Sequence, residues 1–305
     1  MLRYAIERLL SAIPTLFLVI AAAFFLTRIA PGGPFDSERR LPAALETRLE
    51  QAYHLDESLP QQFWRYLKNL AQGDFGPSFR YIDVEVSELI AQGLPVSMAL
   101  GALAMLLALF VGIVGGASAA LRQNRWPDHL IMSLSMTGIS VPNFVVAPLL
   151  VLIFAVTLGW LPAGDLSSPA HFVLPVIALA LPQIAYIARL TRASLVDVLR
   201  SKYVRTARAQ GLSDFDIIRF HAIKPTLIPV VSYLGPAVAG VLTGSVVVEQ
   251  IFGLPGLGQF FVQGALNRDY TLVMGVVILY GTLIIGFNFL VDMIYGLLDP
   301  RVRYQ

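Results

Sequence analysis

The chain has 305 residues, 56% of them hydrophobic and 14% charged, with 22 Lys and Arg against 20 Asp and Glu. Water-soluble domains carry about a quarter charged residues, so this composition excludes an ordinary soluble fold, and a net charge of +2 points to no nucleic-acid partner. Cysteine is absent, which removes disulfide scaffolds, thiol nucleophiles and Cys-based zinc sites, and the four histidines (His54, His129, His171, His221) are too scattered to form a metal-binding pair.

A helix that crosses about 30 Å of hydrocarbon at about 1.5 Å per residue needs roughly 20 apolar residues. Stretches free of Asp, Glu, Lys and Arg mark six such spans, so the expected fold is an all-α membrane protein. In chain order, residues 1–8 precede a first span at 9–29, and a long segment at 30–95 leads to a second at 96–121. A loop at 122–129 and a third span at 130–158 follow, then a connection at 159–170 and a fourth span at 171–189. Segment 190–224 leads to a fifth span at 225–248, connection 249–270 to a sixth at 271–294, and residues 295–305 close the chain. Arg3 and Arg8 before Ala21-Ala22-Ala23 also suggest a signal peptide, but the apolar run exceeds the h-region of about 7 to 15 residues, which favours a retained helix.

Short loops rich in Lys and Arg stay cytoplasmic. With the N-terminus inside, 14 of the 22 basic residues fall on the cytoplasmic side, so both termini are expected there and 30–95 is expected outside. In that outer segment, Leu41, Leu45, Leu49, Ala52 and Tyr53 recur at helical spacing, as do Phe63, Trp64, Leu67 and Leu70. The spacing predicts two amphipathic helices before the breaker Gly73-Asp-Phe-Gly-Pro-Ser78, forming a cap over helix ends, a docking surface, or both.

Within the spans, Gly112-xxx-Gly116 and Gly240-xxx-Gly244 are small-residue steps at which helices can approach closely, although glycine is also common in membrane helices generally. Polar side chains in hydrocarbon are costly unless they face a partner or water, which nominates Asn143, Gln183, Thr243, Ser245 and Asn288 for a substrate path, with interhelical bonding as the alternative.

Segment 190–224 is the most informative. A basic helix runs to Gly211, where a left-handed stop belongs; Ser213 is placed to cap a new helix, and Asp214 and Asp216 lie in its first turn, where the helix dipole favours acids. Phe215, Ile218 and Ala222 then read as one apolar stripe. Anionic lipid accounts for the basic residues. An apolar stripe on a capped helix in water asks instead for a protein groove.

At this segment the sequence resembles the membrane permeases of ABC importers, whose signature runs acidic-Ala-Ala, three residues, Gly, then a short coupling helix. Tyr203 to Leu212 is similar to the peptide-transporter variant of that signature, with Gln210 in place of the usual Lys, and His221-Ala-Ile-Lys-Pro225 to its continuation. Ala30-Pro-Gly-Gly-Pro-Phe35, Gly73 to Ser78, Val141-Pro-Asn-Phe144, Trp160-Leu-Pro162, Gly253-Leu-Pro-Gly-Leu-Gly258 and Asn267-Arg-Asp-Tyr270 resemble, in order, landmarks of the B-type subunit of oligopeptide permeases.

The resemblance implies a type I ABC importer permease fold in the bacterial inner membrane, with a cytoplasmic coupling helix and an outer cap between helices 1 and 2. It implies ATP-dependent import of oligopeptides, this chain forming half of the pore beside a homologous second permease. Two cytoplasmic ATPases holding ATP and Mg, and an external peptide-binding protein, complete the implied assembly. Dipeptide, nickel and glutathione importers share much of the pattern, so these cargoes stay open. Arg205, Thr206, Ala207, Arg208, Gly211, Ser213, Asp214, Phe215 and Ile218 are the implied coupling residues, Arg205 standing where the generic signature has an acid.

No GxxxxGK[ST] loop and no Gly-Lys pair occurs, so no nucleotide site or other cofactor is expected in this chain, nor enzymatic activity; Gly253 to Gly258 reads as a tight outer turn. An intramembrane hydrolase needs a nucleophile and base at comparable depth, and no histidine sits in mid-span. An ion-coupled transporter would use Glu249 and Asp292, but both fall at span boundaries within reach of solvent, and no inverted repeat is visible.

Overall fold

The computed structural model describes residues 2–29, 56–81 and 83–298; the expected helix around Leu41 to Tyr53 and the landmark at Ala30 to Phe35 lie outside them. Helices dominate, and the described residues contain no strand beyond an isolated bridge between Pro77 and Glu85. In hydrocarbon every backbone polar group must be satisfied internally, which a helix does within its own segment. Among the described residues, five helices are long and apolar enough to cross a membrane: Ala5–Ile29, Val86–Leu121, Pro169–Leu199, Asp214–Phe252 and Tyr270–Gly296. A pair of shorter helices, bent by 106° between them, supplies the sixth candidate.

Helix α1 is Leu2–Ile29, α2 Leu59–Leu70 and α3 Val86–Leu121. Helix α4, Trp126–Ser140, and α5, Asn143–Leu150, form the bent pair, with α5 running on into a π turn at Val151–Thr157. Helix α6 is Val173–Leu199 and α7 Lys202–Ala209. The short α8, Asp214–Asp216, passes through a π turn at Ile217–Ala222 into α9, Ile223–Phe252. Helix α10 is Leu257–Leu266 and α11 Tyr270–Leu298.

The third span, read as one helix over 130–158, is thus broken in two. Pro142 has no N–H to donate and pushes Val141 out of the helical region, to φ −92° and ψ 117°. Helix α3 begins ten residues before the expected 96, because Glu88 sits in its first turn, where the dipole accepts an acid. Connection 249–270 is more than a turn: Gly253 caps α9 in the left-handed region at φ 63°, and α10 follows with Leu257, Gly258 and Gly264 buried. Pro225 does not open a new helix: the helical run that carries the fifth span already starts at α8, before the apolar stretch. The π turn widens the backbone just before Pro225, whose ring would otherwise press on the carbonyl of His221.

The described residues fall into two compact units. One comprises residues from Leu10–Ser97 and Pro255–Leu283. Its core joins Ala23 and Phe24 of α1, Phe63 and Tyr66 of α2, and Met274 of α11. Two sequence landmarks meet here. The Asp269 carboxylate, 1% exposed, accepts from Ser78 Oγ, from Phe79 N (3.1 Å), Arg80 N (3.3 Å) and Leu272 N (3.2 Å), while Thr271 shares its one hydroxyl hydrogen between Pro77 O (2.7 Å) and Asp269 Oδ1 (3.0 Å). A buried carboxylate is tolerable when its lone pairs are filled in this way, and the cluster ties the turn after Gly76 to the start of α11.

The other unit comprises Met98–Leu254 and the chain ends. Both small-residue steps are close approaches inside it. A Cβ on Gly112 would lie 2.8 Å from Ile187, and one on Gly116 would strike Ala188 O, so α3 and α6 pack backbone to backbone. On α9, Gly240 faces the Gln183 amide and Gly244 the Asn143 amide. Asp128 of α4, 1% exposed, pairs in two-pronged fashion with Arg192 of α6 at 2.5 and 2.6 Å and accepts from Asn124 N at 2.9 Å. Composition gave no hint of this pair, because each residue alone looks like an ordinary boundary charge.

Candidate functional site

The segment between α6 and α9 folds locally, from its own sequence. Gly211 has φ 87°; its N–H donates to Arg208 O (3.0 Å) and the next N–H, of Leu212, to Ala207 O (3.2 Å), a Schellman stop. Ser213 then caps α8 by accepting from Asp216 N at 3.2 Å, and its hydroxyl donates to Asp216 Oδ2 at 2.6 Å. Val204, Ala207 and Ile217 are buried together with Leu212 packed on them, so the two short helices hold each other.

The implied coupling residues divide by direction. Ala207 is buried and Ile218 half-buried, whereas Phe215 is 68% exposed at the tip. Arg208 is bonded to Asp214 across the Gly211 turn (3.2 Å), an exposed pair, and Arg205 donates to Arg200 O at 3.1 Å. Thr206 donates to Lys202 O. The stripe expected through Phe215, Ile218 and Ala222 is not one face. Ala222 is fully buried against Ala120, Leu195 and Val196, and Phe220, 65% exposed, stands out instead. The π turn explains this: its i to i+5 bonding adds a residue to the turn and shifts every later position around the axis. The aromatic count at 215 and 220 was visible in the sequence; the phase shift was not.

The five polar span residues also separate. Gln183 of α6 accepts from Tyr233 OH of α9 at 2.8 Å, and Tyr186 lies against Tyr233 with ring centroids 5.4 Å apart. Asn143 stands at the start of α5 beside Gly244, its Oδ1 buried with no hydrogen-bond partner among the described residues. These two amides flank the Gly240 to Gly244 step. Thr243 is exposed on the same helix and donates back to Ala239 O, Ser245 is buried and bonded to Leu242 O, and Asn288 bonds Ile284 O and lies against Gly235. Ser245 thus bonds within its own helix, and Asn288 does so while also packing against Gly235 of α9. Tyr186 and Tyr233, which sequence reasoning passed over, belong with Gln183.

The two charged groups considered for ion coupling are both engaged. Asp292 pairs with Arg8 at 3.1 Å. Glu249, expected within reach of solvent, is fully buried near the end of α9.

The fold is similar to solved importer permeases. It covers 69% of this chain and 96% of a chain of the MetNI methionine ABC transporter in an inward-facing conformation (TM-score 0.61, 16% identity), and 68% against 94% for an amino acid ABC transporter with histidines (TM-score 0.53, 22% identity). The architecture is therefore that of a type I ABC importer permease, a multi-pass membrane protein. Residues 112–304 match the family described as binding-protein-dependent transport system inner membrane component, and residues 1–101 the N-terminal component of the same systems. The oligopeptide transport system permease protein OppB of Haemophilus influenzae is 52% identical and that of Salmonella typhimurium 53%, each over all of both chains; the dipeptide transport system permease protein DppB of Bacillus subtilis is 46% identical over 99% of this chain and 98% of its own. The chain belongs to the binding-protein-dependent transport system inner membrane components.

Proposed function

We propose that this chain is the permease subunit of an ATP-driven oligopeptide importer, forming half of a pore completed by a homologous permease. The observation that carries the cargo is the end-to-end match to oligopeptide permeases. The dipeptide relatives favour dipeptides as the second reading. ATP and Mg belong to two cytoplasmic ATPases and peptide capture to an external binding protein. Both termini and segment 190–224 face the cytoplasm, and 30–95 faces outward toward the binding protein. Reporter fusions at positions 60 and 205 test the orientation; a cytoplasmic 60 or an external 205 overturns it. Uptake assays with peptides of graded length separate the two cargoes.

Coupling runs through the tip at Gly211 to Ile218. Phe215 fills a groove on the ATPase, while Arg205, Arg208 and Asp214 make polar contacts around it, and the Schellman turn keeps the tip rigid. Rigidity matters because two sites are linked only through an element with discrete arrangements. Gly211→Val strains the left-handed turn by about 1–2 kcal/mol, and Phe215→Asp puts a charge in an apolar groove. Both variants should insert normally, since no span is touched, yet hydrolyse ATP without peptide uptake. Normal uptake in both would reduce the segment to a basic loop at the membrane surface. Asn143, Gln183 and Thr243 lie along the path, offering backbone-like polar contacts suited to varied peptides.

A further inference from the structure

Within the unit formed by residues from Leu10–Ser97 and Pro255–Leu283 is a cavity of about 160 Å³, lined among others by Arg28, Gln62, Tyr66, Phe75, Thr271 and Met274. Arg28 stands in the last turn of α1, at the end of a 25-residue apolar span. That length at about 1.5 Å per residue exceeds the hydrocarbon thickness, so its guanidinium sits at headgroup depth.

The guanidinium is held in place, and no carboxylate is paired with it among the described residues. It lies over the Phe24 ring, 4.7 Å from the centroid, and Nε donates to Gln62 Oε1 at 3.0 Å. Nη1 is buried and has no hydrogen-bond partner among the described residues, and the same is true of the Tyr66 hydroxyl. Burial pushes the Tyr66 phenol well above its usual range, so it remains a neutral O–H that can donate. The other cation nearby, Arg65, is already bonded to Glu57. Two buried donors on one cavity, one of them charged, cost free energy unless an acceptor arrives, and the charge calls for an anion.

The surroundings indicate the source of that anion. Phe63 of α2 packs on Phe17, Phe24 and Phe25, with centroids 6.0, 5.2 and 5.4 Å away, so α2 lies along the last turns of the α1 span. On its open side α2 presents Trp64, 72% exposed. An exposed indole at that level is the arrangement that anchors proteins in the interfacial layer of a bilayer. We propose that this cavity binds the phosphate of a membrane phospholipid, with Arg28 Nη1 and Tyr66 OH as donors and Phe75 and Met274 against the glycerol and first acyl carbons. The lipid would then join α1, α2 and the turn after Gly76.

The full-length chain, purified in detergent with its accompanying subunits, can be titrated with short-chain phosphatidylglycerol, with the matching diacylglycerol and with inorganic phosphate, reading thermal unfolding. Phosphatidylglycerol should raise Tm, and Arg28→Gln should weaken its binding about tenfold or more, as loss of a charge-assisted hydrogen bond requires. Tyr66→Phe should weaken it less, and Arg28→Lys, which keeps the charge without the planar fork, should fall between parent and Arg28→Gln. Diacylglycerol and inorganic phosphate should leave Tm unchanged. Equal lipid binding by parent and Arg28→Gln would overturn the proposal. So would an equal Tm rise with inorganic phosphate, which would make this a free-anion site. A Tm loss in lipid-free Arg28→Gln as large as in the lipid-bound sample would likewise overturn it, since Arg28 would then be serving the chain itself.

Discussion

Along α3 the exposed side chains include Leu103, Leu106, Phe110 and Val114; along α9, past Ile223 and Lys224 in its first turn, they are Ser232, Pro236, Gly240, Thr243, Val247 and Gln250. Both rows repeat at intervals of three and four, so each is a single stripe of a helix. The α3 row matches the acyl chains it would meet. The α9 row is small and polar, with bare backbone at Gly240, and beneath it lie the Gln183 and Asn143 amides. Exposure in one chain therefore has two meanings: a surface finished by lipid, and a surface still to be covered by protein or water. The second is what half a pore must present, since small residues admit a close neighbour and polar ones tolerate water.

The contrast can be broken at several points. The largest effect should come from what holds α6, the floor beneath the α9 row. Arg192→Met leaves buried Asp128 without its partner and should cost about 3–5 kcal/mol, read as a lowered unfolding temperature in detergent; a parent-like melt would mean that α6 is not pinned there. Next, Phe110→Lys on the lipid row should cost about 2.5–3.5 kcal/mol of membrane insertion. Thr243→Lys on the polar row should insert as the parent does and lower peptide uptake. Equal insertion penalties would abolish the distinction between the two faces.

A smaller loss, about 1–3 kcal/mol, should follow Gly116→Val, because the new side chain meets the Ala188 carbonyl, which cannot turn away. Gly240→Ala should cost less than about 1 kcal/mol. Its neighbour at 3.1 Å is the Gln183 amide end, which can shift, so the change should appear in transport before stability. Thermal unfolding beside an uptake assay would rank all five variants.

Much of the site was legible because it is local. The Gly211 turn and the Ser213 cap follow from residues within a few positions, and the structure forms both with the expected backbone. The facing of the next turn was not legible, since one π turn moves Ala222 inward and leaves Phe220 outward. Gln183 and Asn143 were nominated for being polar in apolar runs; their separation from Ser245 and Asn288 required knowing which helix lies opposite.

The sequence by itself determined that the chain is a helical membrane protein and which stretches are apolar enough to cross, because the transfer of a span into hydrocarbon depends on composition and length alone. It determined the Gly211 stop as well, since a left-handed residue is a property of one position. Tertiary structure decided what depends on distant partners. Asp269 finds Ser78 191 residues away, and Asp128 finds Arg192 across 64. The 106° break between α4 and α5 and the packed α10 belong with these. A buried charge or a bent helix persists only when other elements supply the hydrogen bonds and the packing, and that supply is set by which segments the fold brings together.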